Sequence, residues 1–224
     1  EFRRVLFRSP SALANMNTLR FARLASGLLA LGAALDLSAQ VVFTANGTYN
    51  QNFDTLPYTT NTSAQLTWDD NTTLTGWYSS DTSGYHSKIG DGGSPSHGLN
   101  LYMPEGNTDD RALGSYTNSN SSSVFFGVQL LNNTGHVLNS VSISFALENY
   151  RASPSARDKL IASIGLNNSD LFSGSWDQLA SLDYTNISNT LSLSSLSWND
   201  GDSLWIRWED TVFTEGTNPK NAGR

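Results

Sequence analysis

Residues 141–147 alternate without a break. Val141, Ile143, Phe145 and Leu147 share one parity, and Ser142, Ser144 and Ala146 the other. A period of two puts the apolar set on one face of an extended strand, whereas a helix would scatter it around its axis. From Val41 onward similar short runs recur between Gly, Asn and Ser clusters. No apolar repeat of helical period there exceeds two turns. That pattern predicts an all-β chain, folded as an antiparallel sandwich or barrel.

Strands are expected at residues 48–53, 74–79, 98–103, 111–116, 124–132, 137–150, 158–166, 177–184 and 203–210. "NNTG" at 132–135 reads as a hairpin loop. "NDGD" at 199–202 places Asp-Gly where a two-residue type I′ turn wants it. Parity assigns the faces of residues 203–210. Leu204, Ile206 and Trp208 read as core, and Trp205, Arg207 and Glu209 as a mixed face. No domain break or internal repeat interrupts residues 41–210.

Composition narrows the class. Charged residues are 15% of the chain, below the usual quarter, and Ser, Thr, Asn and Gly fill the difference. Many turns need those residues, as an extracellular β-protein does. Cysteine is absent, which excludes disulfides, thiol chemistry and thiolate metal sites. From Val41 onward there are 18 acidic and 8 basic residues, so this part carries 8 − 18 = −10. That balance opposes nucleic-acid binding and adhesion to anionic lipid, both of which need basic patches.

The first forty residues read differently. From Met16, Arg20 and Arg23 precede the apolar run "LASGLLALGAAL", which is short for a membrane span. "LSAQ" then offers a small-residue cleavage site after Ala39. Residues 16–39 are therefore expected to be a secretory signal peptide. Upstream, "EFRRVLFRSP" resembles a translated sequencing adapter, so residues 1–15 are expected to be a non-native segment. Residues 40–224 are expected to hold the β-sandwich domain.

Four segments occur in order: "DRALGS" (110–115), "FGVQLLNNTG" (126–135), "FALENYR" (145–151) and "LWIRWED" (204–210). Together they resemble secreted bacterial jelly-roll β-sandwich domains, concanavalin-like in architecture, of the kind found in PEP-CTERM sorting-tail proteins. The resemblance covers residues 49–210. It implies an antiparallel jelly roll and a secreted or cell-surface location. Tyr150 stands where the group usually has Trp. The group also continues into a final strand, where this chain ends "VFTEGTNPKNAGR". The resemblance thus implies a domain truncated before its last strand. Membrane attachment would come only through a sorting tail beyond this chain.

Hydrolase signatures are missing: there is neither G-x-S-x-G nor H-E-x-x-H. His86, His97 and His136 read as solvated loop residues. Glu148, Glu209 and Asp210 sit at strand ends but lack a clustered acid motif. The chain is accordingly expected not to be an enzyme and to need no cofactor. Three oxygen-rich loops, at 90–93, 107–110 and 199–202, are turns first but could also hold a structural calcium. Sugar binding is the leading specific activity, through ring stacking by Trp77, Tyr78, Tyr85, Tyr102 and Trp176. Glu148 and Arg207 are expected to form a structural ion pair covered by Tyr150. The expected function is a non-catalytic binding or spacer module, with an extracellular polysaccharide or cell-surface matrix as partner. The alternative is an accessory domain of a secreted hydrolase or nuclease.

Overall fold

The computed structural model describes residues 40–61, 63–90, 97–117, 122–147, 159–182 and 188–211. Residues 1–15, the signal-like stretch 16–39 and residues 212–224 lie outside them. Among the described residues there is no helix, and the strands are β1 (Val41–Phe43), β2 (Gln65–Leu66), β3 (Trp77–Ser79), β4 (Tyr85–Ile89), β5 (Gly98–Met103), β6 (Ala112–Tyr116), β7 (Val124–Asn132), β8 (Val141–Ala146), β9 (Lys159–Leu166), β10 (Asp177–Leu182), β11 (Ser188–Leu193) and β12 (Ser203–Thr211).

The strands build an all-β sandwich. One layer is a six-stranded sheet in the order β1-β7-β12-β9-β10, with β3 also paired to β7. Val128 of β7 partners Ile206 on one side and Trp77 on the other, while Leu130 partners Leu204 and Val41. β3 and β1 therefore share one edge of β7, end to end. Facing this sheet are a four-stranded sheet, β2-β4-β5-β6, and a separate ribbon, β11-β8.

The parity assignment holds. Phe126, Val128, Leu130, Leu204, Ile206 and Trp208 are buried in a single core with Tyr85, Leu99, Leu101 and Leu113 of the four-stranded sheet and Ile143 and Phe145 of the ribbon. Trp208 lies at its centre. It stacks on Trp77 at 5.9 Å and on Phe126 at 6.1 Å, and meets Phe145 edge-on at 5.7 Å.

Several expectations are corrected. The pairing is antiparallel-rich, but β1–β7 and β4–β5 are parallel. Residues 48–53 form no strand. Phe53 takes a φ of 65° there, with its N–H bonded to Gln51 Oε1, so the chain turns instead of extending. β4 contains His86 and Lys88 and shows no alternation, yet Tyr85, Ser87 and Lys88 are all buried. A parallel partner and neighbouring packing make it a strand. "NNTG" is no hairpin, because β7 and β8 belong to different layers. It is a crossover loop wound around Asn132. "NDGD" does turn, with Asp202 N–H donating to the Asn199 carbonyl at 3.1 Å. Only Gly201 has positive φ, 84°, so the turn carries the type II signature in place of I′.

Candidate functional site

The second layer is divided, and the division leaves an opening. Between the β8–β11 ribbon and the chain at residues 46–53 lies a cleft of about 640 Å³. That volume is in the range of ordinary ligand pockets. Its floor is the core face of the six-stranded sheet, chiefly Trp77, Val128, Ile206 and Trp208. Phe43 and Trp198, in edge contact at 5.9 Å, close one end.

The walls differ from the floor. Asn46, Thr48, Gln51, Asn139, Ser142 and Ser144 contribute amides and hydroxyls. Tyr49 is fixed from below, its hydroxyl accepting the Trp77 indole N–H at 2.8 Å. His136 bridges the rim, with Nε2 3.3 Å from Asn46 Oδ1 and Nδ1 3.0 Å from the Thr134 carbonyl. None of the described lining residues is Asp, Glu, Lys or Arg. The site therefore offers apolar contact and neutral hydrogen bonding. Among the described lining residues there is no pair of carboxylates of the kind that glycoside hydrolysis uses.

Of the residues singled out for sugar stacking, only Trp77 reaches the cleft, and the five are not brought together. Trp77 is 3% exposed and Tyr85 is fully buried. Burying an aromatic ring removes about 150–250 Å² from water, worth roughly 4–6 kcal/mol at most, which favours core over display. Tyr85 donates its hydroxyl to the Pro57 carbonyl at 2.7 Å. Burial pushes that hydroxyl up to about 12, an effect the Arg111 charge partly opposes. Tyr102 is buried beside Ala112 on the other face of the four-stranded sheet.

Tyr78 and Trp176 belong to the opposite side of the molecule, on the outer face of the six-stranded sheet. Alternation makes Tyr78, Phe125, Trp205 and Arg207 share that face. The β9–β10 connection, residues 167–176, folds across it as a strap. Trp205 Nε1 donates to the Asn168 carbonyl at 2.8 Å, and Arg207 Nη1 to the Leu171 carbonyl at 2.7 Å. The Arg207 guanidinium lies 3.9 Å from the Trp176 ring centre and 4.9 Å from that of Phe125. Burial lowers its pKa, with Glu209 opposing. Phe172 packs edge-on against Phe125. Tyr78 tilts over Trp205 at 4.7 Å and bonds Gln129. The mixed face expected from sequence is thus largely roofed. Glu148 and Tyr150, the expected partners of Arg207, lie outside the described residues.

The oxygen-rich loops spend their oxygens locally. Asn107 Oδ1 accepts the Asp109 N–H, and Asn199 Nδ2 donates to Asp202 Oδ2. Residues 91–93 of the first loop lie outside the described residues. Asp210 is buried, accepting Ser115 Oγ at 2.9 Å and Thr117 Oγ1 at 3.3 Å. Among the described residues no three His, Asp or Glu cluster as metal ligands would. His86 is a strand residue, with Nδ1 3.1 Å from the Ala64 carbonyl.

Sequence reasoning missed the cleft. Its walls come from residues about ninety positions apart, and residues 46–53 carry no local signal for lining a site. No family model, curated protein or solved structure matches the chain.

Proposed function

We propose that this chain is a non-catalytic, secreted or cell-surface binding module whose site is the cleft between the ribbon and residues 46–53. One observation carries the reading. In a chain of net charge −7, the described lining of an open cleft of about 640 Å³ is uncharged, with an aromatic floor and amides and hydroxyls on its rim. Such a lining suits an extended, uncharged ligand held by apolar burial and a few neutral hydrogen bonds. Secretion is supported by the basic, apolar and small-residue succession of residues 16–39. The resemblance to PEP-CTERM-associated sandwiches supports a surface or matrix setting, where neutral polysaccharides and extended peptides are the available partners.

Val137 offers the test, because it lines the cleft and is 44% exposed. Val137→Arg should leave the thermal midpoint unchanged, since an exposed position tolerates a long side chain. Binding of neutral oligosaccharides and extended peptides, screened on arrays with the full chain, should fall by about tenfold or more. Hits that survive the substitution would place the site elsewhere.

A further inference from the structure

We propose that the strap at residues 167–176 presents a second binding surface, which takes the ring face of a neutral polysaccharide on Phe172 and Trp176. This surface lies on the outer face of the six-stranded sheet, whereas the cleft is floored by the inner face. It stands or falls independently of the cleft reading.

Phe172 is 60% exposed, more than any other large hydrophobic residue among those described. The strap keeps it there. Asp170 Oδ1 accepts the Phe172 N–H at 2.7 Å and the Ser173 N–H at 2.6 Å, while Oδ2 accepts the Ser173 hydroxyl at 2.9 Å. The Phe172 ring rests on Phe125, with 5.6 Å between ring centres. Phe125 lies 4.9 Å from the Arg207 guanidinium, which lies 3.9 Å from the Trp176 ring centre. Trp176, Arg207, Phe125 and Phe172 thus form one continuous series of ring contacts, and the strap supplies both ends. Trp176 is partly exposed, and its Nε1 donates to the Ser173 carbonyl at 3.1 Å. Arg207 is itself held, with Nη1 on the Leu171 carbonyl at 2.7 Å. Rings ordered before binding lose little freedom when a ligand lands on them.

What surrounds the rings selects the ligand. Ser169, Ser173, Ser175, Asp177 and Gln178 are exposed next to them along the chain. Apart from Trp176, Phe172 is the only apolar side chain that the strap leaves in water. A protein partner is anchored by a contiguous apolar patch with charge kept to its rim. Two rings set among hydroxyls, an amide and carboxylates do not make such a patch. They match a pyranose, whose small C–H face is rimmed by hydroxyls. The face packs on a ring, and the hydroxyls bond the polar groups around it. Charge sets the rest. Asp170 and Asp177 border the rings, and Glu209 acts on the Arg207 charge. A uronate or a nucleic acid would meet these carboxylates, so the polymer that fits is uncharged.

Tryptophan quenching reads the site. Trp68, Trp77, Trp198, Trp205 and Trp208 are 4% exposed or less, which leaves Trp176 as the tryptophan that acrylamide reaches. Xyloglucan, galactomannan, laminarin and dextran are the probes, added to the full chain, with polygalacturonate as their acidic counterpart. At least one neutral polymer should cut the acrylamide quenching constant about twofold or more, and should slow the chain in affinity electrophoresis. Phe172→Ala should weaken that binding at least about fivefold at an unchanged thermal midpoint, because the side chain is exposed. Phe172→Leu should weaken it as much, since leucine keeps the apolar bulk and loses the flat face. Phe172→Tyr should stay within about twofold of the natural chain. No protection by any neutral polymer, stronger protection by polygalacturonate, or full binding by Phe172→Leu would overturn the inference. So would a quenching constant that Trp176→Phe leaves unchanged without polysaccharide, because the chain itself would then cover the ring. Val137→Arg keeps the two sites apart. Binding lost in Val137→Arg but kept in Phe172→Ala belongs to the cleft and overturns the strap surface. The reverse result supports the strap surface and takes that ligand away from the cleft.

Discussion

Asn132 shows how one side chain joins two loops that the sequence presents as separate turns. It is fully buried at the end of β7. Its Nδ2 donates to the carbonyls of His136 and Trp198, at 2.9 and 2.8 Å. Its Oδ1 accepts the N–H and hydroxyl of Thr134. Its backbone bonds Asp202 and Gly201 across the second loop. Every polar group of this side chain is satisfied, so removing it takes one donor each from the His136 and Trp198 carbonyls, which keep the Thr134 hydroxyl and the Leu138 N–H, and leaves Thr134 without its Oδ1 acceptor. Asn132→Ala should cost about 2–3 kcal/mol in denaturant unfolding. A loss below about 0.5 kcal/mol would mean that solvent replaces the amide. Read locally, Asn132 announces only a turn, which any Asn-Asn-Thr-Gly suggests. Its role as a tie depends on Trp198, 66 residues away.

At the scale of elements, the strap at residues 167–176 depends on an absence and on a charge. Gly165 lies under it. A Cβ there would sit 2.1 Å from Asn168 Nδ2 and 2.9 Å from the Ser175 carbonyl. Gly165→Ala should therefore lift the strap and expose Trp205, read as a red shift and greater quenching of tryptophan emission. An unshifted spectrum would show that Asn168 can move aside cheaply. Asp170 orders the loop from within. Hydrogen bonds from the Ser173 N–H, then the Phe172 N–H, and then the Ser173 hydroxyl hold its carboxyl below the ordinary range. A depressed carboxylate stabilises the fold above the unfolded pKa and loses that contribution as pH falls through the folded one. The strap should loosen only in acid, below the usual aspartate range. Asp170→Asn should loosen it at neutral pH and remove the acid transition in emission. An identical pH profile in wild type and variant would assign that transition elsewhere. Arg207 is held by the same strap. Arg207→Met, which keeps the stem but loses the Leu171 bond and the stacking on Trp176, should cost about 2 kcal/mol in denaturant unfolding. An unchanged midpoint would show that the guanidinium contributes nothing net.

For the whole molecule, the decisive contact is between layers, and Tyr85 reports on it. Its ring sits in the shared core against Trp68, with the hydroxyl bound to Pro57. The folded pKa of about 12 exceeds the ordinary 10, so the neutral hydroxyl is the native form. That contribution is fully present below pH about 10 and is lost as pH rises towards 12. Alkaline unfolding should follow tyrosinate absorbance in this window. Tyr85→Phe should shift unfolding to higher pH while costing about 1 kcal/mol at neutrality for the abandoned Pro57 carbonyl. If the alkaline limb stays where it is, another group governs it.

The sequence by itself determined the all-β class and the inward face of the central strands. Period-two alternation at Val141, Ile143 and Phe145, and at Leu204, Ile206 and Trp208, is a local property that any partner sheet must respect. β7, β9 and β12 were legible for that reason. β4 and β11 were not, because Lys88 and Ser192 look like loop residues until a neighbouring strand supplies a ladder. Tertiary structure alone decided that Trp77, Tyr85 and Tyr102 are buried and that the 167–176 strap roofs Trp205 and Arg207. It alone also opened the cleft beside β8. An aromatic residue reads the same in sequence whether it fills a core or faces a ligand. The difference lies in which distant segment covers it, and that follows from how the layers pack.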